Sequence, residues 1–318
     1  MPIYKTTNPD RYAGRISGQK RYLHEKVECI GFDGLVHNSS NKIFAILGYA
    51  CDEGVRRNQG RIGAIHGPDA IREQLGKMAN HLDDGTQLFD LGSVQCTDGN
   101  MEASQDYLSN KVGELLATNA FPILLGGGHD IAYGHFNGIK KHLGPKKSIG
   151  IINFDAHFDL RDNLKGNNSG TPFYQISQDC KQEGLPFNYL CLGIRQDAND
   201  CGLFETAEVL GVDYIEAKNF HMANAQTIVH KLLDFIGQVD HLYVTIDLDG
   251  FSSAYASGVS APSPMGFSPT VVVESLELII NSGKMVSLDI AEMNPKYDSD
   301  TQTAKLAASL VHFVAHRV

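Results

Sequence analysis

The sequence predicts an α/β fold in which a parallel sheet of about eight strands is covered by helices on both faces. Three observations carry this reading. Apolar runs of strand length recur along the chain, they are continuous rather than alternating with polar residues, and helical patterns fall between many of them. Strands buried on both faces read as unbroken apolar runs, and strand–helix alternation builds parallel sheets.

In chain order the apolar runs are 43–48, 88–91, 121–125, 148–154, 188–193, 212–215, 241–246 and 284–290. A helical pattern over 102–118 follows the second run, another over 223–236 follows the sixth, and a third over 269–281 precedes the last. No linker, repeat or low-complexity tract divides the chain, so residues 1–318 read as a single domain. Residues 1 to about 40 read as an N-terminal appendage that packs on the surface or on a neighbouring subunit. Apolar content of 42% and charged content of 20% describe an ordinary soluble globular protein. The net charge of -10 argues against nucleic acid as a partner, which asks for a basic face. No apolar run approaches the length needed to span a bilayer, and the start, Met1 to Lys5, lacks the apolar core of a signal peptide. Cys29, Cys51, Cys96, Cys180, Cys191 and Cys201 show no paired or CxxC spacing; buried reduced thiols are expected, which points to the cytoplasm.

Chemistry concentrates in three pieces, each directly after an apolar run. The first is Asn153-Phe154-Asp155-Ala156-His157-Phe158-Asp159-Leu160-Arg161. Along an extended strand, side chains two apart point the same way, so Asp155, His157 and Asp159 are expected to converge. Such a set is unfavourable unless a cation sits among it. A solvated loop is the plainer alternative, but Ile151, Ile152 and Phe154 bury its approach. The second piece, Thr245 to Gly250, adds Asp247 and Asp249; the third, Gly126-Gly127-Gly128-His129-Asp130, adds His129. The glycines could cradle a phosphate, yet the Lys and Ser/Thr of a P-loop are missing and Asp130 would repel it. Four carboxylates and two imidazoles suit two divalent cations, and the absence of cysteine favours manganese over structural zinc. Two metals about 3.5 Å apart would supply a hydroxide nucleophile at neutral pH. These positions, at the carboxyl ends of predicted strands, are where open α/β sheets bind ligands.

The three pieces occur in order, with a fourth in Ser287-Leu288-Asp289-Ile290-Ala291-Glu292-Met293-Asn294-Pro295. Together they resemble the signature of the ureohydrolases, the arginase and agmatinase superfamily. The resemblance implies a three-layer α/β/α sandwich around an eight-stranded parallel sheet and two Mn2+ per subunit. The first would be held by His129, Asp155, Asp159 and Asp247, and the second by His157, Asp249 and the shared Asp155 and Asp247. It also implies that Glu292 binds the amidine nitrogen of a small substrate, a planar cation suited to a bidentate carboxylate. A homo-oligomer, trimer or hexamer, is implied by the resemblance alone. Asp289 is left open between a structural and a functional role.

Departures from the arginase pattern carry the substrate. Ser169 stands where a proton-shuttle histidine is usual, Arg161 where arginases carry Asn, and Gly258-Val259-Ser260-Ala261-Pro262 replaces Gly-Thr-Gly-Thr-Pro. These features, with 51–61 running into 67–72, are similar to the formimidoylglutamases. That resemblance implies cleavage of N-formimidoyl-L-glutamate to L-glutamate and formamide in histidine degradation, with Asp159 relaying a proton to the departing amine. A substrate with two carboxylates asks for forked cations; Arg161, with Arg57, Arg61 or Arg195 nearby, meets that need, and Ser169 joins them. A solvated basic loop remains the plainer reading of Arg56, Arg57 and Arg61. An agmatinase or guanidinobutyrase releasing urea is the nearest alternative; the full set of six ligands argues against a one-metal zinc deacetylase of related fold and against a non-catalytic metal-binding subunit. His24, His37, His66, His135, His142, His221, His230, His312 and His316 carry no spacing signal, and most are expected at the surface.

Overall fold

Ten strands form one sheet in a computed structural model that describes residues 2–35 and 41–318. They are β1 (Ile3–Lys5), β2 (Glu28–Cys29), β3 (Ile43–Ala50), β4 (Gln87–Gln95), β5 (Ala120–Leu125), β6 (Ile149–Phe154), β7 (Asn188–Ile194), β8 (Asp213–Glu216), β9 (His241–Asp247) and β10 (Met285–Ala291). Their order across the sheet is β1-β4-β3-β5-β10-β9-β6-β7-β8, with β2 also beside β4. Only β1 runs antiparallel to its neighbour. Each of the eight apolar runs is a strand, β3 to β10. Within β3 the side chains alternate between two cores: Phe44 and Ile46 face one, Ala45 and Leu47 the other. Both faces being buried is why period-two polarity is absent from the sequence.

The helices are α1 (Glu53–Arg57), α2 (Gly67–Leu75), α3 (Met101–Ala117), α4 (Ile131–Leu143), α5 (Pro172–Glu183), α6 (Cys201–Val209), α7 (Ala225–Gly237), α8 (Pro269–Asn281) and α9 (Gln302–Ala315). Local chemistry sets several of their ends. Asn100 caps α3 by accepting from Ala103 N–H, and Asp200 caps α6 by accepting from Leu203 N–H. Helix α5 starts on Pro172 and stops at Gly184, whose φ of 68° lies in the left-handed region. On one face α4 packs between α3 and α5; on the other, α9 packs on α2 and α8, and α8 on α7. The result is the three-layer sandwich expected.

The first residues are fastened to the β4 edge of this sheet. Besides the β1 pairing, Thr7 Oγ1 and Tyr12 Oη donate to the two oxygens of buried Asp90 at 2.7 and 2.5 Å. Leu23 and Tyr12 are part of the core. Strands of three and two residues carry too little pattern to be seen in sequence, so β1 and β2 were not expected. His37 lies outside the described residues.

Candidate metal centre and active site

Strands β5, β10, β9 and β6 are adjacent at the middle of the sheet, and the chain leaves all four at the same end. After β5, the glycine turn brings the backbone against two neighbouring strand ends. Gly126 and Gly127 N–H donate to the carbonyls of Ile290 and Tyr49 at 2.7 and 2.8 Å, and Gly128 N–H to Cys51 at 2.9 Å. A Cβ on Gly127 would lie 1.8 Å from the Cys51 oxygen, so this close approach requires glycine. With all three amides spent on carbonyls, the turn has no donors for a phosphate; it serves to place His129.

Beyond β6 the expected mode of convergence differs from the one found. The strand ends at Phe154, and 155–163 has no regular structure, so the alternation of an extended strand does not aim the three side chains. They are gathered by a turn instead. Asp155 Oδ1 accepts from His157 N–H at 2.7 Å, and Asp159 adopts a left-handed φ of 48°. A left-handed aspartate is uncommon and strained, and marks a position held by its surroundings. At the end of β9, Asp247 Oδ1 accepts from Asp249 N–H at 2.8 Å, which turns both carboxylates into the same space.

Two overlapping groups result, each with its candidate ligand atoms within 4.8 Å of one another: His129, Asp155, Asp159 and Asp247, and Asp155, His157 and Asp249. Nδ1 of His129 lies 3.2, 2.9 and 3.0 Å from oxygens of Asp155, Asp159 and Asp247. Nδ1 of His157 lies 3.4 and 3.2 Å from Asp155 and Asp249. Asp155 turns Oδ2 to the first group and Oδ1 to the second, and so joins them. Asp247 belongs to the first group only by this distance criterion.

Electrostatically the protein alone leaves this centre unbalanced. Burial and the charge of Asp155 push the Asp159 carboxyl up to about 6. Burial and Asp247 raise Asp249 well above the carboxylate range, and burial with Asp247 and Asp249 does the same to Glu292. Burial opposes charge on His129, but the surrounding carboxylates outweigh it and raise its pKa well above ordinary. Nδ1 of His129 and Oδ1 of Asp249 sit within ion-pairing distance of neighbours yet make no aligned hydrogen bond. Buried polar atoms without partners are costly, and a hard divalent cation among imidazole and carboxylate donors satisfies them all. The donor set therefore fits metal.

A cavity of about 910 Å³ opens onto His129, His157, Asp159, Asp247, Asp249 and Glu292. Glu292, held at a φ of 67°, accepts from His129 N–H at 3.0 Å through Oε1, and its buried Oε2 has no partner. Ser169 lines the cavity and accepts from Asn58 Nδ2 at 3.2 Å.

The four arginines expected in the pocket separate. Arg57 lines the cavity, but its guanidinium is tied to Glu53, Glu102 and the carbonyls of Gly99 and Asn167. Arg61 also lines it, yet binds the carbonyls of Val259 and Ser260 and stacks on Tyr297 with 4.1 Å to the ring centroid. Arg195 is outside the lining and grips Asp197 with two hydrogen bonds of 3.0 and 2.8 Å. Arg161 lines the cavity and has no ion pair among the described residues. Lys165, which no sequence motif singles out, shares both properties. Its only signal was its place four residues beyond Arg161.

His135, one of the histidines without a spacing signal, is fully buried against Asp289, Nδ1 to Oδ2 2.6 Å. Its sequence context is the glycine-rich start of α4, where burial is set by tertiary packing rather than by local pattern.

The family model described as the arginase family matches residues 42–316. A formimidoylglutamase from Clostridium tetani is 41% identical, covering 98% of this chain and 95% of its own. Another, from Aeromonas hydrophila, is 45% identical over 84% of this chain and 85% of its own. Among solved structures, an arginase from Bacillus subtilis superposes with a TM-score of 0.73 at 27% identity, covering 86% of this chain and 98% of its own. A formimidoylglutamase from Bacillus subtilis superposes with a TM-score of 0.77 at 23% identity, over 88% of each chain, a likeness of fold.

Proposed function

The chain belongs to the arginase family, and from that premise we propose that it is a binuclear-manganese formimidoylglutamase. It hydrolyses the amidine C–N bond of N-formimidoyl-L-glutamate and releases L-glutamate and formamide. The observation that carries this reading is the cavity's composition: a two-part carboxylate and imidazole centre at its floor, with two unpaired cations, Arg161 and Lys165, on its wall. An identity of 41% over 98% of this chain to a protein named for this activity supports the same substrate.

Two Mn2+ held by His129, Asp155, Asp159, Asp247, His157 and Asp249 would acidify a water and polarise the amidine carbon. The chain's own residues do the rest. Glu292 keeps Oε1 on the His129 amide and leaves Oε2 to accept from an amidine N–H. Arg161 and Lys165 hold the two substrate carboxylates, and forked Arg161 fixes orientation while Lys165 adds charge. Asp159, at 12% side-chain exposure, faces the cavity more than Asp155, Asp247 or Asp249 at 0, 3 and 6%. It is the carboxylate best placed to pass a proton to the departing amine, with Ser169 standing where the arginase pattern has histidine. Arg57 and Arg61 shape the wall as fixed struts. A homo-oligomer working in the cytoplasm is part of the same proposal, resting on resemblance.

The test is product release by the manganese-loaded protein from formimidoylglutamate, arginine, agmatine and guanidinobutyrate in parallel. Formamide and glutamate from the first substrate alone are expected. Urea from any of the others would overturn the reading of the pocket.

A further inference from the structure

Behind the metal centre a chain of hydrogen bonds runs from His129 into the sheet, and every member is buried. His129 Nε2 is 3.0 Å from Thr245 Oγ1, which is 2.5 Å from Asp289 Oδ1. Asp289 Oδ2 accepts from the Tyr243 hydroxyl and lies 2.6 Å from His135 Nδ1. His135 Nε2 is 2.6 Å from Ser287 Oγ, which is 3.0 Å from the carbonyl of Pro122. Thr245, Asp289, His135, Ser287 and Tyr243 are all 0% exposed and His129 is 1% exposed.

Counting protons gives the chain its direction. The Pro122 carbonyl can only accept, so the Ser287 hydroxyl donates to it and accepts from His135 Nε2–H. One proton lies between His135 Nδ1 and Asp289 Oδ2. With the Tyr243 hydroxyl also donating to that carboxyl, Asp289 has no proton left for Thr245. The single Thr245 proton therefore goes to Asp289, and the Thr245 oxygen accepts from His129 Nε2–H. Burial and the Asp289 charge both keep Tyr243 protonated, raising its pKa well above ordinary, as this direction requires. In the neutral ring that a metal ligand must be, His129 therefore keeps its proton on Nε2 and turns the Nδ1 lone pair toward Asp155, Asp159 and Asp247, where Nδ1 makes no aligned hydrogen bond.

We propose that Asp289 is a positioning residue: through Thr245 it holds His129 as the Nε2–H tautomer and so presents Nδ1 to a metal ion shared with Asp155, Asp159 and Asp247. This rests on the metal reading given above. Metal-bound imidazoles commonly owe their tautomer and basicity to an acceptor on the far nitrogen. Here the acceptor is a threonine made an obligate acceptor by the carboxylate behind it. Without it, Nε2–H would be buried unpaired, and the ring would gain by moving its proton to Nδ1, among the three carboxylates, where it competes with the metal. Thr245 hydrogen-bonds His129, a member of the first group, and makes no hydrogen bond to His157, so the effect falls on the first of the two groups.

The test is equilibrium Mn2+ titration of the purified full chain, read by metal content and by manganese EPR. Wild-type protein is expected to take up two ions. Thr245→Val keeps the shape and removes the acceptor; one of its two ions should bind about 10–100-fold more weakly, while the other keeps its affinity. Thr245→Ser should restore both, which a packing role would not require, and Asp289→Asn should weaken the same ion. Thermal melts of the metal-free variants report folding separately. Unchanged binding of both ions in Thr245→Val, or equal weakening of both, would overturn the positioning role. A wild-type chain that takes up no manganese would overturn the metal reading itself.

Discussion

Two of the places where this fold buries charge are built in opposite ways. At the β4 edge, Arg72 spends all its donors: Nε and Nη2 on Asp90 at 2.7 and 3.2 Å, Nη1 on Asp69 and Ser93, and Nη2 again on the Gly92 carbonyl. Asp90 in turn accepts from Thr7, Tyr12 and Gly92 N–H. At the carboxyl ends of β5, β6, β9 and β10, carboxylates crowd one another, and Nδ1 of His129, Oδ1 of Asp249 and Oε2 of Glu292 make no hydrogen bond. The first cluster is complete without anything added. The second is complete only with cations and substrate. Burial and perturbed acidity alone do not distinguish a structural ion pair from a working site; satisfaction of the donors and acceptors does.

The comparison can be broken first at the working site. Asp155→Ala removes the carboxylate that joins the two groups, and metal uptake and activity should both fall to background, beyond the roughly 10–100-fold of outer-shell changes; metal analysis beside the product assay reads this. At the other cluster, Arg72→Met leaves Asp90 buried without its partner. A loss of about 3–5 kcal/mol in urea unfolding is expected, with manganese binding per folded chain unchanged. The contrast sharpens with Asp249→Asn, which removes a carboxyl whose ionisation burial and Asp247 both oppose. The metal-free variant should be more stable than the metal-free parent by about 1 kcal/mol, the reverse of Arg72→Met, while its manganese affinity drops.

Arg161→Ala should raise KM for formimidoylglutamate about tenfold or more, as one charge-assisted hydrogen bond is worth roughly 1.5–3 kcal/mol, with little change in kcat. Arg57→Ala should instead lower stability and spare KM, since its guanidinium is already committed to Glu53 and Glu102. The smallest effect is on pH dependence. His129 and His157 bind protons more tightly in the metal-free fold than when unfolded, and Asp159 and Asp130, pushed up to about 6 and about 7, also hold protons that the unfolded chain gives up near pH 4. Metal-free stability should thus be highest near pH 5 and fall by pH 8, and saturating manganese should flatten that slope. Melting temperatures across this range, with and without metal, check the sign.

The eight long strands were legible because burial on both faces writes continuous apolar runs, whereas β1 and β2 are too short to write anything. The metal-ligand candidates were legible because their motifs are compact and sit directly after those runs. How they converge was not: alternation predicts an extended approach, but the left-handed turn at Asp159 is imposed by contacts distant in sequence. The arginines misled for the same reason. Arg57 and Glu102 are 45 residues apart, so nothing local says that this guanidinium is occupied. Asp289 and His135, 154 residues apart, are joined only once β10 and α4 are packed.

The most direct test of the central claim is formamide release from N-formimidoyl-L-glutamate, followed as Mn2+ is added stepwise to metal-free protein and bound metal is counted. Activity that appears with metal and reaches its plateau at two ions per chain is the predicted result. Formamide release that persists in the metal-free protein, or a plateau at one ion with no second bound, would contradict it.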